Sequence, residues 1–121
     1  MCGGYIDVWM NCAQAGLWSP LLGEMATESR IRCIFDINVL VPIMLTKQLL
    51  SKLSKVGNGD GGGTIGDGID IGFVSSLSSQ MDAPSLTSFA ATKAALSCFV
   101  RSVIRERLLG ILPVPVNCSV M

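Results

Sequence analysis

Three short β-branched runs separated by two long helical ones constrain this chain more than any single motif. The runs are "YIDVWMNCA", "IDIGFVSS" and "ILPVPVNCSV". Each is a stretch of apolar, β-branched and aromatic residues bounded by small or polar ones, which is the mark of a covered strand. Between the first two lies "RIRCIFDINVLVPIMLTKQLLSKLSK", where Ile34, Ile37, Val41, Leu45 and Leu49 recur at spacings of three and four, a helical period. The loop before it, "LWSPLLGEMATESR", offers Thr27 or Ser29 as the helix cap. "SLTSFAATKAALSCFVRSVIRERLLG" is a second helix, closed by Gly110. Strands joined by helical crossovers lie parallel with right-handed connections. The expectation is one α/β domain over residues 1–121, strand-helix-strand-helix-strand on a parallel sheet.

Details sharpen that expectation. Pro42 falls inside the first helical run, so a kink or two helical pieces are expected there. Apolar positions run most of the way round that helix, which calls for cover on both faces. The first strand is apolar on both faces and is expected at a sheet edge. Residues 57–68, "GNGDGGGTIGDG", hold seven glycines in twelve positions and read as a flexible linker. Pro113 and Pro115 stand at the entry of the third strand, where proline is tolerated.

Composition excludes several functions. Half of the 121 residues are hydrophobic, only 15% are charged and the formal net charge is zero, so neither a nucleic-acid stripe nor electrostatic membrane docking is expected. No apolar run is as long as a membrane span, so no spanning helix is expected, and the start "MCGGYIDVWM" is not a secretory signal. There is no histidine, and five cysteines (Cys2, Cys12, Cys33, Cys98, Cys118) form no CxxC pair, so no metal site is expected. The scattered cysteines read as buried free thiols in a reducing compartment, the cytoplasm or, with an upstream segment, the mitochondrion.

The linker matches GxGxxG twice, at Gly57, Gly59, Gly62 and at Gly61, Gly63, Gly66. A dinucleotide fingerprint needs a strand before it and a helix after it. Here the order is reversed, so phosphate binding by this segment is not expected.

A second pattern carries more. Asn11 ends the first strand, Asn38 lies in the first long helix, Ser75 and Ser76 end the second strand, and Phe89 stands one helical turn before Lys93. In open parallel sheets ligands bind at the carboxyl ends of strands, where Asn11 and Ser76 fall. Each residue also has a plainer reading. Lys93 is either a solvated helix lysine or a site residue, Asn38 either a site residue or a core asparagine bonded to backbone, and Ser76 either a site residue or part of a polar loop. Phe89 packs in either case.

Taken together, these pieces resemble the short-chain dehydrogenase/reductase family over nearly the whole chain. "DVWMNCAQAG" is similar to the family's Asp-x-x-Val-Asn-Asn-Ala-Gly strand end, and "INVLVPIMLTKQLL" to its Asn-Val-x-Gly helix. "GFVSSLSS" resembles its serine strand, "SFAATKAALSCFVRSV" its Tyr-x-x-x-Lys helix, and "VPVNCSV" its Val-Asn-x-Val-Ser strand. The resemblance implies a partial doubly wound, Rossmann-type sheet and carbonyl or alcohol chemistry with NAD(P), closest to 3-oxoacyl-carrier-protein reductases. It implies Ser76 on the substrate oxygen, Asn38 on a relay water, Lys93 on the nicotinamide ribose, and Asn11 and Ala13 beside the cofactor. Phe89 occupies the position of the family's acidic tyrosine. The family's Thr-Gly-x-x-x-Gly-x-Gly loop has no counterpart, so the chain resembles the family from its fourth strand onward. Turnover by this chain alone is therefore not expected. The alternatives are a non-catalytic partner that pairs through its two long helices with itself or a longer relative, and a truncated product without function.

Overall fold

The computed structural model describes residues 6–57, 69–112 and 116–120. Strand β1 spans Val8–Asn11, β2 Ile69–Phe73 and β3 Val116–Val120. They form one parallel sheet in the order β1-β2-β3, with β1 at an edge as expected, an unusual place for so apolar a strand. The register places Trp9 opposite Ile71 and Ile71 opposite Cys118.

The first crossover is helical from Glu28 to Gly57, in three pieces: helix α1 over Glu28–Phe35, a π turn over Asp36–Leu40 and helix α2 over Val41–Gly57. Thr27 caps α1, its hydroxyl accepting the Arg30 N–H at 3.4 Å. The π turn accounts for Pro42. The Val41 N–H reaches back five residues to the Asp36 carbonyl, and the helix then restarts. Pro42 thus falls in the first turn of α2, where a missing N–H costs nothing within the helix. Its carbonyl accepts the buried Thr46 hydroxyl at 2.7 Å.

Helix α3 spans Thr87–Leu108 and ends in a Schellman turn: the Ile111 N–H bonds the Glu106 carbonyl and the Gly110 N–H bonds that of Arg107. Gly110 has φ of 71°, the left-handed value this turn requires. Of the linker, only Gly57 is described, as the last residue of α2; the rest, with both GxGxxG matches, lies outside the described residues, as do Cys2, Pro113 and Pro115.

Both helices pack on one face of the sheet. Ile69, Ile71 and Phe73 point to that face and are closed in by Leu50 of α2 and by Leu96 and Val100 of α3. Phe73 meets Phe99 edge-on, ring centres 6.1 Å apart. Strand residues alternate, so Val8 and Met10 turn to the opposite face, where they are 58% and 41% exposed.

That one-sided layering overturns two expectations. The first long helix is covered on one face only, and Leu40, Val41, Met44 and Leu45 remain exposed. Cys12, Cys33 and Cys98 are exposed rather than buried, and Cys118 is half-buried. Cys33 and Cys98 lie on helix sides turned from the sheet, and Cys12 lies just past the end of β1. A third correction concerns length. Glu28–Ser54 is long and apolar enough to cross a bilayer once polar positions are averaged in. Its buried residues Ile34, Asn38, Pro42, Thr46 and Leu50 instead form a stripe at helical spacing that packs inward.

Gly110→Ala should destabilise the chain by about 1 kcal/mol, because a Cβ disfavours the left-handed backbone. An added Cβ meets nothing within 4 Å at Gly110 or at Gly16, so Gly16→Ala, without a positive φ, should move a denaturation midpoint far less.

Candidate functional site

The carboxyl ends of β1 and β2 and the first turns of α3 bring the candidate residues into one neighbourhood. Asn38 is buried on the π turn, 1% exposed. Its Oδ1 accepts the Ala15 N–H at 2.7 Å, and its Nδ2 donates to the Ala15 carbonyl at 2.8 Å and to Thr92 Oγ1 at 3.0 Å. Both amide protons are therefore committed, and the side chain is a clamp between the loop after β1 and helix α3. These are the bonds a backbone-bonded asparagine makes. A water held by Asn38 would need the second lone pair of Oδ1 or the main-chain carbonyl, which Pro42 denies its usual donor four residues on.

Thr92 completes the clamp and is fully buried. Its hydroxyl accepts from Asn38 and donates to the Phe89 carbonyl at 2.7 Å. Sequence reasoning passed over it, although its place directly before Lys93 on an apolar helix was a usable signal.

Lys93 is 1% exposed, which rules out the solvated-lysine reading. Its Nζ donates to the Val74 carbonyl at 2.9 Å and lies 5.5 Å from the centre of the Phe89 ring. The ring face attracts the ammonium, but a cation–π contact is weaker than a carboxylate partner. Burial pushes the amine below its ordinary value of 10.5. Phe89 is half-buried and packs beside it, with no proton to exchange.

Ser76 starts a short 3-10 turn over Leu77–Ser79. Its Oγ accepts the Ser78 N–H at 3.2 Å and the Ser78 hydroxyl at 2.9 Å. The Ser79 hydroxyl donates to the Ser76 carbonyl at 2.7 Å, and Ser75 Oγ pairs with the buried Ser97 Oγ at 3.0 Å. Ser75, Ser76, Leu77, Ser79, Gln80 and Val120 line an open hollow of about 270 Å³. Asn38, Phe89 and Lys93 do not line it. Lys93 reaches its rim through Val74, the residue before Ser75. The structure thus links Asn38 with α3, and Lys93 with Phe89 and β2, while Ser75 and Ser76 line the hollow.

Asn11 and Ala13 lie at and just past the end of β1, Ala13 exposed. The Nδ2 of Asn11 is buried and has no hydrogen-bond partner among the described residues, an unmet donor at the end of the sheet where ligands bind. No cluster of metal-ligating side chains occurs among the described residues.

Residues 2–118 match the family model of the short chain dehydrogenases. Solved structures with the same fold include a short-chain dehydrogenase from Streptomyces avermitilis (25% identity, TM-score 0.72, covering 97% of this chain and 37% of that one). LigO from Sphingobium sp. superposes with a TM-score of 0.77 at 21% identity, covering 98% of this chain and 38% of that one. 4-Hydroxyisoleucine dehydrogenase, complexed with NADH and succinate, gives 0.74 at 17% identity, covering 94% and 47%. A tyrosine-to-phenylalanine variant of ElxO with NADPH bound gives 0.70 at 23% identity, covering 86% and 38%. The chain spans less than half the length of these structures. No curated protein matches it.

Two outcomes test the geometry. Asn38→Ala should cost about 3 kcal/mol in a denaturant titration, because it unpairs both backbone groups of the half-buried Ala15 and removes the donor to buried Thr92. Lys93 titrates lower in the folded chain than in the unfolded one, so the unfolded state binds more protons between the two values. Stability should therefore rise as pH climbs from the depressed folded value towards 10.5, and Lys93→Met should remove that rise in denaturant titrations across the range.

Proposed function

This chain belongs to the short-chain dehydrogenase family, and on that footing we propose that it carries the substrate-side half of an NAD(P)-type oxidoreductase site that binds but does not turn over alone. The Phe89–Lys93 pair carries the reading. Lys93 is held at the carboxyl end of a parallel sheet by the Val74 carbonyl, and the ring one turn before it has no hydroxyl. A carbonyl reduced at such a site needs a proton as hydride arrives, and phenylalanine has none to give. Loss of a positioned acid lowers a rate by about 10²–10⁴.

The residues present fit the ribose and nicotinamide end of the cofactor. Asn11 Nδ2 is an unmet buried donor, and Lys93 uses one of its three N–H donors on Val74. When bound, the cofactor supplies or accepts hydride. The chain's own part is to present Lys93 to a ribose hydroxyl, and Ser76 to the substrate oxygen. For the pyrophosphate the fit is poor among the described residues. The first turn of α1 is already capped by Thr27 and carries Glu28, which repels an anion. ElxO with phenylalanine in place of a tyrosine is a structure of this fold with NADPH bound. The substrate would be a small carbonyl or alcohol compound, and 3-oxoacyl thioesters are the first to try. The apolar stripe Leu40, Val41, Met44 and Leu45, bare on this single chain, favours a homo- or hetero-oligomer. A cytoplasmic place, with neither nucleic acid nor membrane as partner, completes the reading.

The experiment is a fluorescence titration with NADPH, followed by its consumption in the presence of acetoacetyl thioesters and simple ketones. Binding without consumption is expected, and Phe89→Tyr should raise consumption by about 10²–10⁴. Clear turnover by the unaltered chain, or no NADPH binding at all, would refute the proposal.

A further inference from the structure

The hydroxyl directions around Ser76 assign a function to a residue outside the hollow. A serine hydroxyl has one proton and two lone pairs. Both lone pairs of Ser76 Oγ are filled by Ser78, one by its backbone N–H at 3.2 Å and one by its hydroxyl at 2.9 Å. The remaining capacity of Ser76 is its own proton, and Ser76 lines the hollow while Ser78 does not. The neighbouring hydroxyls do not compete for that proton. Ser79 sends its own to the Ser76 carbonyl at 2.7 Å, and Ser75 sits between Ser97 at 3.0 Å and Ser79 at 3.4 Å. A hydroxyl that already accepts two hydrogen bonds is also polarised into a stronger donor.

We propose that Ser78 is a positioning residue that makes the Ser76 hydroxyl a dedicated donor into the hollow, where it would meet the oxygen of the carbonyl substrate proposed above. The size and lining agree. The hollow of about 270 Å³ holds a small ketone, and its lining includes Leu77 and Val120 beside uncharged polar groups, with no charged side chain. An ionised carboxylate would find no cation there, whereas a ketone oxygen needs only one donor and the rest of it prefers apolar walls. This inference rests on the reading of Ser76 as the substrate contact proposed above and names the residue that sets its polarity.

The test uses cyclohexanone labelled with ¹³C at its carbonyl, added to the full chain. Binding is followed by NMR titration and the carbonyl stretch by infrared difference spectroscopy. A lowered stretch relative to the free ketone in an apolar solvent is expected. Ser76→Ala should return it to the unbonded frequency. Ser78→Ala should move it partway back and weaken binding by about two- to tenfold, the share of one hydrogen bond. Ser78→Thr keeps both the backbone N–H and a hydroxyl to fill the acceptors of Ser76, so it should keep the lowered stretch; a role for Ser78 unrelated to its hydroxyl would make the Ala and Thr variants alike. No bound ketone, a stretch at the unbonded value, or a Ser78→Ala spectrum equal to that of the unaltered chain would overturn the inference. NADPH titration of the same samples separates the two ideas: ketone binding without NADPH binding sinks the cofactor proposal and leaves Ser78 in place.

Discussion

The buried Asn38 amide ties three stretches of chain at one point. One end holds both backbone groups of Ala15, in the loop after β1, and the other holds Thr92 on α3. The π turn sets its position in the first crossover, and Pro42 follows that turn in the next helical turn. Remove the amide and the loop, the crossover and α3 lose their common point. Thr92 then keeps its bond to the Phe89 carbonyl but loses the donor that fixes this turn of α3 to the crossover. An amide suits this task because it offers an acceptor and two donors in a fixed plane, which matches the opposed N–H and C=O of a single backbone residue. An aspartate would present only acceptors there and a buried charge besides.

Lys93 shows the opposite balance. It is a cation in an apolar place, with a carbonyl and an aromatic face for company. Such a group is a burden on the fold, since desolvation of the charge is only partly offset by one hydrogen bond. Local conflict with stability is the usual accompaniment of a binding position. The same site holds Asn11, whose buried Nδ2 also lacks a partner among the described residues. Two unsettled polar groups at the carboxyl end of one sheet make a stronger case for a ligand than either alone.

Much of the fold was legible because periodicity reports local geometry. The alternation of strand and helix gave the parallel sheet, the spacing of Ile34 to Leu49 gave the helix, and Gly110 gave its end. What periodicity could not report is which side of a helix finds a neighbour. Cys33, Cys98 and the Leu40–Leu45 stripe are apolar or weakly polar, so pattern placed them inside, yet the single helical layer leaves their side bare. The site was legible residue by residue and not bond by bond. Asn38, Ser76 and Lys93 stood out by type, but their partners are backbone groups of Ala15 and Val74 and the hydroxyls of Ser78 and Thr92. Backbone acceptors have no letter in a sequence, and a serine among four gives no hint of which one donates.

The uncovered face of the sheet has a thermodynamic consequence. Parallel sheets are ordinarily sandwiched between layers, and here Val8 and Met10 of the edge strand β1 are exposed on the face that carries no helix among the described residues. Any surface that seats itself there binds the folded form and not the unfolded chain, so it adds to folding free energy by mass action. The melting temperature of this unit is then not a constant of its sequence. With such a surface present, it climbs with that surface's concentration.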